Sequence, residues 1–230
     1  MTSPILIGCA HGTRSEEGRA VVRGLLDEVR EALPDVDVRE AYVDVHGPEL
    51  EKVIAEIPEG EGVTAVVVPL LLASGYHVHH DIANAVAPRP DIVSARALGP
   101  DAKLVKLLRQ RLAEAGAAPE STVVLAPAGS SDERAQADTS KAAEMLRTAW
   151  GGPVRVGFAS DIHPTVTDAV TKAREFGEED GVTIASYLLA PGVFQERLSG
   201  AGADRVTAPL APHPLLVSIV LDRYREACGV

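Results

Sequence analysis

Imidazole and carboxylate side chains follow three short apolar segments of the chain that are typical of buried strands. His11 follows the segment that begins at Ile5, Asp44 follows a second segment, and His77 follows the third and most apolar one. Because the carboxyl ends of parallel strands form the ligand-binding edge of an open sheet, these three side chains are expected to lie together. Two imidazoles and one carboxylate suit Fe²⁺, Co²⁺, Ni²⁺ or Zn²⁺ and leave coordination positions open for a substrate.

Other polar residues surround these positions, and each has an ordinary alternative role. The neighbours are Gly12, Thr13, Arg14, His46, Ser74, Gly75, Tyr76, His79 and His80. His11 could simply cap the first helix, and Asp44 could accept a hydrogen bond from its own turn. His79 and His80 could begin a solvated helix that directs them away from His77. His46, His163 and His213 are interpreted as loop or helix-start residues, and Cys9 as a small buried hydrophobic residue.

Strand and helix patterns alternate along the first half of the chain. Apolar segments at 5–9, 36–43, 63–72 and 92–98 predict strands, and residues 15–33, 48–57, 79–86 and 101–115 predict helices. Strands joined through helices form a mostly parallel sheet that is covered by helices on both faces. The first half is therefore predicted to be an α/β domain.

The same order of elements begins again near Thr122, which indicates an internal duplication. IGCAHGTRSEEGRAVVRGLLDEVR aligns with LAPAGSSDERAQADTSKAAEMLR, Gly75 aligns with Gly192, and Pro100 aligns with Pro212. The sequence predicts two similar α/β domains, 1–117 and 118–230, each with a mostly parallel four-stranded sheet flanked by helices. Because the join is short, the halves are expected to pack as an internal pseudo-dimer, and the protein is expected to be a monomer.

The second half serves as a control for the first. Ala128 stands opposite His11, Phe194 stands opposite His77, and Ser160 or Asp161 stands opposite Asp44. The repeat keeps the fold pattern without either imidazole, so the two histidines are not required for folding. This comparison favours a functional role for His11 and His77.

Composition excludes several classes of protein. The chain has 230 residues, is 46% hydrophobic and 24% charged, and carries a net charge of −11, which argues against disorder and against nucleic-acid or anionic-membrane partners. It has two cysteines and no long apolar segment, so a cytoplasmic protein without a disulfide framework is expected. The GxGxxA letters that begin at Gly60 follow a helix and enter a strand, so no nucleotide or redox cofactor is predicted.

Three stretches together resemble the sirohydrochlorin chelatase family, which includes the small ferrochelatases and cobaltochelatases of siroheme and cobalamin synthesis. They are ILIGCAHGTR, DVHGP at residues 44–48, and PLLLASGYHVHHDI at residues 69–82. Bacterial members of this family are often tandem duplications with one active half. The resemblance implies a lyase that inserts Fe²⁺ or Co²⁺, as a substrate, into the polycarboxylate tetrapyrrole sirohydrochlorin.

The resemblance also implies roles for residues. The family's two metal-binding and catalytic histidines fall on His11 and His77, and its acidic ligand, usually Glu, falls on Asp44, whose shorter side chain favours contact through water. The surrounding residues Gly12, Thr13, Arg14, Ser74, Gly75, Tyr76, His79 and His80 are expected to bind the tetrapyrrole. His11 is the preferred base, although the sequence leaves the choice between the two imidazoles open.

Two other functions remain as alternatives at this stage. A non-catalytic metal-binding or tetrapyrrole-binding protein would use the same histidines without turnover. A phosphatase of the histidine type is disfavoured because Ala10 stands where such an enzyme has arginine immediately before its histidine.

Overall fold

Two four-stranded parallel sheets form the framework of the computed structural model, which describes residues 3–175 and 181–229. Their strand orders are β2-β1-β3-β4 and β6-β5-β7-β8, and every described strand pair is parallel. The strands are β1 (Ile5–Ala10), β2 (Val38–Tyr42), β3 (Ala65–Pro69), β4 (Ile92–Ser94), β5 (Thr122–Pro127), β6 (Val154–Val156), β7 (Val182–Tyr187) and β8 (Arg205–Val206). The predicted fold class is confirmed.

Helices connect these strands in both sheets. They are α1 (Glu16–Ala32), α2 (Leu50–Ala55), α3 (Ala83–Val86), α4 (Ala102–Glu114), α5 (Glu133–Trp150), α6 (Val166–Arg174), α7 (Val193–Ser199) and α8 (Pro214–Cys228). A π-helical segment, His77–Ile82, runs directly into α3. None of the described helices has the length and apolar character needed to cross a membrane.

The local sequence explains where the first helix begins and how closely it packs. The Ser15 side chain accepts a hydrogen bond from the Gly18 N–H at 3.1 Å and so caps α1. A Cβ atom at Gly8 of β1 would collide with the Leu26 side chain. Glycine at this position therefore lets the helix lie directly against the central strand.

The third and fourth strands are shorter than the sequence predicts. β4 ends at Ser94 rather than Leu98, although the Ala95 N–H still donates to the Val67 carbonyl and the Leu98 N–H to the Leu71 carbonyl. The apolar residues beyond each strand are buried in the loops that leave the sheet, so hydrophobicity continues where the regular ladder stops.

The chain divides into two compact units whose limits differ from the predicted division at residue 117. Unit 1 comprises Met1–Leu98 with Ala211–Val230, and unit 2 comprises Gly99–Leu210. Helix α4 packs against β7 and α5 of unit 2, whereas α8 packs against β3 and α1 of unit 1. The two sequence repeats have therefore exchanged their final helices.

Buried hydrogen bonds fix α8 in unit 1. The Arg223 side chain is only 1% exposed, and its guanidinium donates to the carbonyls of Ala97 at 2.8 Å and Leu98 at 2.7 Å. The Tyr224 hydroxyl donates to the Pro4 carbonyl at 2.5 Å. These contacts connect the C-terminal helix to both ends of the N-terminal part of the unit.

Candidate functional site

The first predicted site residue, His11, lies exposed immediately after β1. Its Nδ1 atom lies 3.2 Å from the Gly12 carbonyl oxygen. Because a carbonyl oxygen only accepts hydrogen bonds, this contact places the proton on Nδ1 and leaves the Nε2 lone pair available. His11 is therefore arranged to offer a nitrogen ligand at the carboxyl edge of the sheet.

Glycine is required next to His11 because the loop passes very close to the neighbouring strand. Gly12 has φ +98°, a left-handed conformation, and a Cβ atom there would collide with the Asp44 carbonyl oxygen. The Asp44 N–H donates to the His11 carbonyl at 3.0 Å. The backbones after β1 and β2 are thus joined beyond the regular strands.

The Asp44 carboxylate is engaged locally rather than with the histidines. It accepts a hydrogen bond from the Val45 N–H at 2.7 Å, and Val45 itself has φ +65°. Within residues 3–175 and 181–229, no group of three or more His, Cys, Asp or Glu side chains is arranged to hold a metal ion. The structure thus brings the Asp44 backbone to the site without assembling the predicted set of three ligands.

His77 is brought against His11 by the segment that follows β3. The rings of His11 and His77 are in edge-to-face contact, with centroids 4.4 Å apart and an interplanar angle of 85°. The Leu70 N–H donates to the Cys9 carbonyl at 2.7 Å and so holds this segment beside β1. The predicted meeting of the two imidazoles is the central feature of the site.

The aromatic and imidazole neighbours of His77 are arranged along the π-helical segment. Tyr76 is 52% exposed, and its ring is stacked on His80 with centroids 4.5 Å apart and an angle of 15°. Tyr76 also meets the His77 ring edge-on at 5.9 Å. His79 is exposed. The stacked rings of Tyr76 and His80 lie beside His77.

The remaining predicted substrate-binding residues line the starts of helical segments. The Thr13 hydroxyl accepts a hydrogen bond from the Ser15 N–H at 3.1 Å, and Arg14 is exposed beside it. The Gly75 carbonyl accepts from the N–H groups of Val78 and His79, and Ser74 precedes it as a half-buried residue. These residues border the same edge of the sheet as His11 and His77.

Asp81 is absent from the predicted site residues but contacts two imidazoles. Its Oδ2 atom lies 2.6 Å from Nδ1 of His77, and its Oδ1 atom lies 3.3 Å from Nδ1 of His80. The signal in the sequence is the four-residue spacing between His77 and Asp81, which places the two side chains on one helical face.

Cys9 lies in the core near this site. Burial, together with the carboxylates of Glu51 and Asp81, raises the pKa of the Cys9 thiol to about 12. Because a thiol binds metal as a thiolate, this residue remains a protonated hydrophobic side chain. Its interpretation as a buried core residue is consistent with its complete burial.

Unit 2 has a different set of side chains at the corresponding edge. Phe194 replaces the second imidazole, and the Arg197 guanidinium carbon lies 5.8 Å from the centre of its ring. Arg197 also lies 3.5 Å from the Asp161 carboxylate. With Ala128 after β5 and Phe194 at the start of α7, this edge carries neither imidazole.

Comparison with known proteins identifies related sequences across most of the chain. A family model described as CbiX matches residues 5–115 and again residues 122–227. A sirohydrochlorin ferrochelatase of Priestia megaterium is 23% identical over 198 residues, which cover 82% of this chain and 74% of the relative. A sirohydrochlorin cobaltochelatase of Sulfolobus acidocaldarius is 28% identical over 108 residues, which cover 46% of this chain and 86% of the relative.

A solved structure has the same fold. The structure described as SirB from Bacillus subtilis with Fe³⁺ superimposes with a TM-score of 0.78 at 20% sequence identity. The match covers 98% of this chain and 95% of that chain. This likeness establishes the arrangement of strands and helices.

Proposed function

The chain belongs to the CbiX family, and from that membership and the imidazole pair we propose that it inserts a divalent metal, Fe²⁺ or Co²⁺, into sirohydrochlorin. The relatives of this chain include both a sirohydrochlorin ferrochelatase and a sirohydrochlorin cobaltochelatase. The observation that carries the proposal is the contact between the rings of His11 and His77 at the ligand-binding edge of unit 1.

The imidazole pair supplies what metal insertion requires of a protein. Insertion needs partial dehydration of the ion, distortion of the macrocycle and loss of two pyrrolic protons. Two neutral imidazoles hold a late first-row ion while leaving coordination positions for the ring nitrogens. As those nitrogens replace the protein ligands, a released imidazole accepts a proton. We assign this role to His11, since it is the more exposed of the two.

The acidic residue has a different role in this proposal. The Asp44 carboxylate already accepts the Val45 N–H, so we propose that Asp44 reaches the metal through a water molecule. Such an outer contact still compensates part of the charge of the incoming ion. The reaction needs neither a nucleotide nor a redox cofactor, because metal and macrocycle are the only substrates and neither changes its oxidation state.

The tetrapyrrole needs local attraction because both it and the protein are negatively charged. The protein carries a net charge of −11, which repels a polycarboxylate at long range. We propose that Arg14 and the backbone amides of Gly12 and Thr13, before the N-terminus of α1, bind substrate carboxylates. The other side of the macrocycle is assigned to Ser74, Gly75, Tyr76, His79 and His80.

The test compares metal insertion by the wild-type protein and single variants. Anaerobic absorbance follows sirohydrochlorin with Fe²⁺ or Co²⁺, and we expect the wild-type rate to exceed the spontaneous rate. His11→Ala and His77→Ala are each expected to lower kcat/KM by roughly 100-fold or more, because each removes a metal ligand. The matched control is His163→Ala in unit 2, whose imidazole is 80% exposed and whose loss leaves the rate unchanged.

The outcomes separate the proposed enzyme from its alternatives. Folded wild-type protein that gives only the spontaneous rate with both metals would overturn the proposal. Metal binding that depends on His11 and His77 without turnover would indicate a carrier or binding protein instead.

A monomer, expected from the duplication, is part of the same proposal. Light scattering after gel filtration measures the molecular mass and so tests it.

A further inference from the structure

A carboxylate lies between two imidazoles on the π-helical segment of unit 1. We propose that Asp81 is a positioning residue, which fixes the proton of His77 on Nδ1 and so keeps Nε2 free to bind the incoming metal. The inference rests on the proposed function only in naming a metal ion as the group that binds to Nε2. The arrangement of the proton is a property of the protein alone.

The contact between Asp81 and His77 is short. The Asp81 Oδ2 atom lies 2.6 Å from His77 Nδ1, with the two side chains 29% and 34% exposed. Ile82, the next residue, is completely buried in the core of unit 1, and it fixes the backbone on which Asp81 stands. The backbone that carries the carboxylate is therefore anchored to the core of unit 1.

A second imidazole lies on the other side of the carboxylate, and its Nδ1 atom also lies 3.4 Å from the Asn84 side-chain nitrogen. The Asp81 Oδ1 atom lies 3.3 Å from His80 Nδ1, and the His80 ring is in turn stacked on Tyr76. Each oxygen thus faces a different imidazole nitrogen. This arrangement restricts rotation of the carboxylate and keeps Oδ2 directed at His77.

The hydrogen bond determines which nitrogen of His77 is available. A carboxylate oxygen only accepts hydrogen bonds, so the Nδ1 atom of His77 carries the proton and the Nε2 atom of the neutral ring does not. Without this acceptor, a neutral histidine side chain in water favours the opposite tautomer, in which Nε2 carries the proton and cannot bind metal. Outer groups of this kind typically alter metal affinity or activity by roughly 10- to 100-fold.

Nitrogen-15 NMR reads the tautomer directly. Long-range ¹H–¹⁵N spectra at about pH 8, where an ordinary imidazole is neutral, distinguish protonated from bare ring nitrogens. In the wild-type protein we expect His77 to show protonated Nδ1 and bare Nε2, and the His77→Ala spectrum assigns these signals. In Asp81→Ala we expect the His77 signals to move toward protonated Nε2. His163, whose Nδ1 lies 2.8 Å from Asp168, is an unchanged reference within each spectrum.

Binding of Co²⁺ alone provides the second measurement. We expect Asp81→Ala to weaken Co²⁺ binding by roughly 10- to 100-fold, with circular dichroism and thermal unfolding close to those of the wild type. The matched control is Asp27→Ala, which removes a carboxylate on α1 that is 66% exposed and paired with Arg30. It should leave both the His77 tautomer and the Co²⁺ affinity unchanged.

Clear results would overturn the proposal. Wild-type His77 with a protonated Nε2 would contradict it even if the Asp81 variant failed to fold. An unchanged tautomer with unchanged Co²⁺ affinity in folded Asp81→Ala would contradict it equally. Failure of the proposed function would give a different result. The wild-type protein would then not accelerate metal insertion, while the His77 tautomer would still depend on Asp81.

Discussion

At the scale of single residues, the chemistry of this site depends on backbone geometry as much as on the two imidazoles. The His11 ring is held by the carbonyl of Gly12, and the left-handed conformation of Gly12 brings that loop against the Asp44 carbonyl. The position of the His11 ring is therefore determined by a residue that contributes no side chain.

Substitution of Gly12 tests this dependence. Gly12→Ala introduces a Cβ atom that collides with the Asp44 carbonyl and strains the left-handed backbone, so we expect lower stability and at least tenfold slower metal insertion. Urea unfolding and the insertion assay measure the two effects. The matched control is Gly24→Ala on α1, where no atom beyond the adjoining helix backbone lies within 4 Å of the added Cβ. It should stabilise the protein by roughly 0.5–1 kcal/mol and leave the rate unchanged; equal behaviour of the two variants would contradict the argument.

The sequence predicts the imidazole pair but not its supporting contacts. His11 and His77 are identifiable because three strand ends share one edge and because the second repeat lacks both residues. Asp81 lies four residues after His77 on the same helical segment. The predicted helix begins only at His79, so the sequence pattern does not indicate that the two side chains share one helical face. The local hydrogen bond of Asp44 depends on the left-handed φ of Val45, a conformation that a β-branched residue rarely adopts and that sequence patterns do not reveal.

At the scale of elements, the strands were predictable and their ends were not. Apolar segments locate β1 and β3 because both are buried on two faces. The predicted strands continue through apolar loop residues such as Leu70 and Leu98, which are buried without belonging to the ladder. Hydrophobicity reports burial, and burial extends beyond regular hydrogen bonding.

A buried ion pair fixes the start of β4 to the loop before β3. Arg89 donates to both carboxylate oxygens of Asp91 at 2.9 and 2.8 Å, and the Thr64 hydroxyl donates to Oδ2 at 2.7 Å. Arg89 also donates to the Ile57 carbonyl at 3.0 Å. The Arg89 guanidinium, with the Thr64 hydroxyl, holds the pKa of Asp91 well below its usual range.

The stability contributed by Asp91 is expected to depend on pH. Because the pKa is lowered in the folded state, the contribution is complete above the unfolded value of about 4 and is lost as pH falls toward the folded value. Asp91→Asn should therefore lower the urea midpoint at pH 7, and its difference from the wild type should shrink below about pH 4. Asp27→Asn, at an exposed pair on α1, should change stability by less than about 1 kcal/mol. A constant difference between wild type and Asp91→Asn across this range would contradict the assignment.

At the scale of the whole molecule, the duplication was predictable and the exchange of helices was not. The CbiX match covers residues 5–115 and 122–227, in agreement with the predicted repeats. The repeats describe similarity along the chain, whereas the compact units are defined by contacts in space. Helices α4 and α8 occupy equivalent places in their repeats and both bury apolar residues, so no pattern in either helix indicates which sheet it covers.

Arg223 provides a test of the exchanged helix. Arg223→Met leaves the Ala97 and Leu98 carbonyls buried without their donor, so we expect a loss of roughly 2–4 kcal/mol in the free energy of unfolding. Arg225→Met, at an exposed position two residues further along α8, should change it by less than about 0.5 kcal/mol. Urea unfolding measures both variants, and equal stabilities would show that α8 does not depend on this anchor.

The exchange of helices also sets the order in which the two units are completed during synthesis. Unit 2 is continuous in sequence from residue 99 to 210, so every part of it is synthesised before α8. Unit 1 must wait for that helix, because α8 packs against its β3 and α1. The unit that carries the imidazole pair is thus the last to have all of its residues synthesised. A chain released before residue 211 has every candidate metal ligand but lacks the helix that completes their fold.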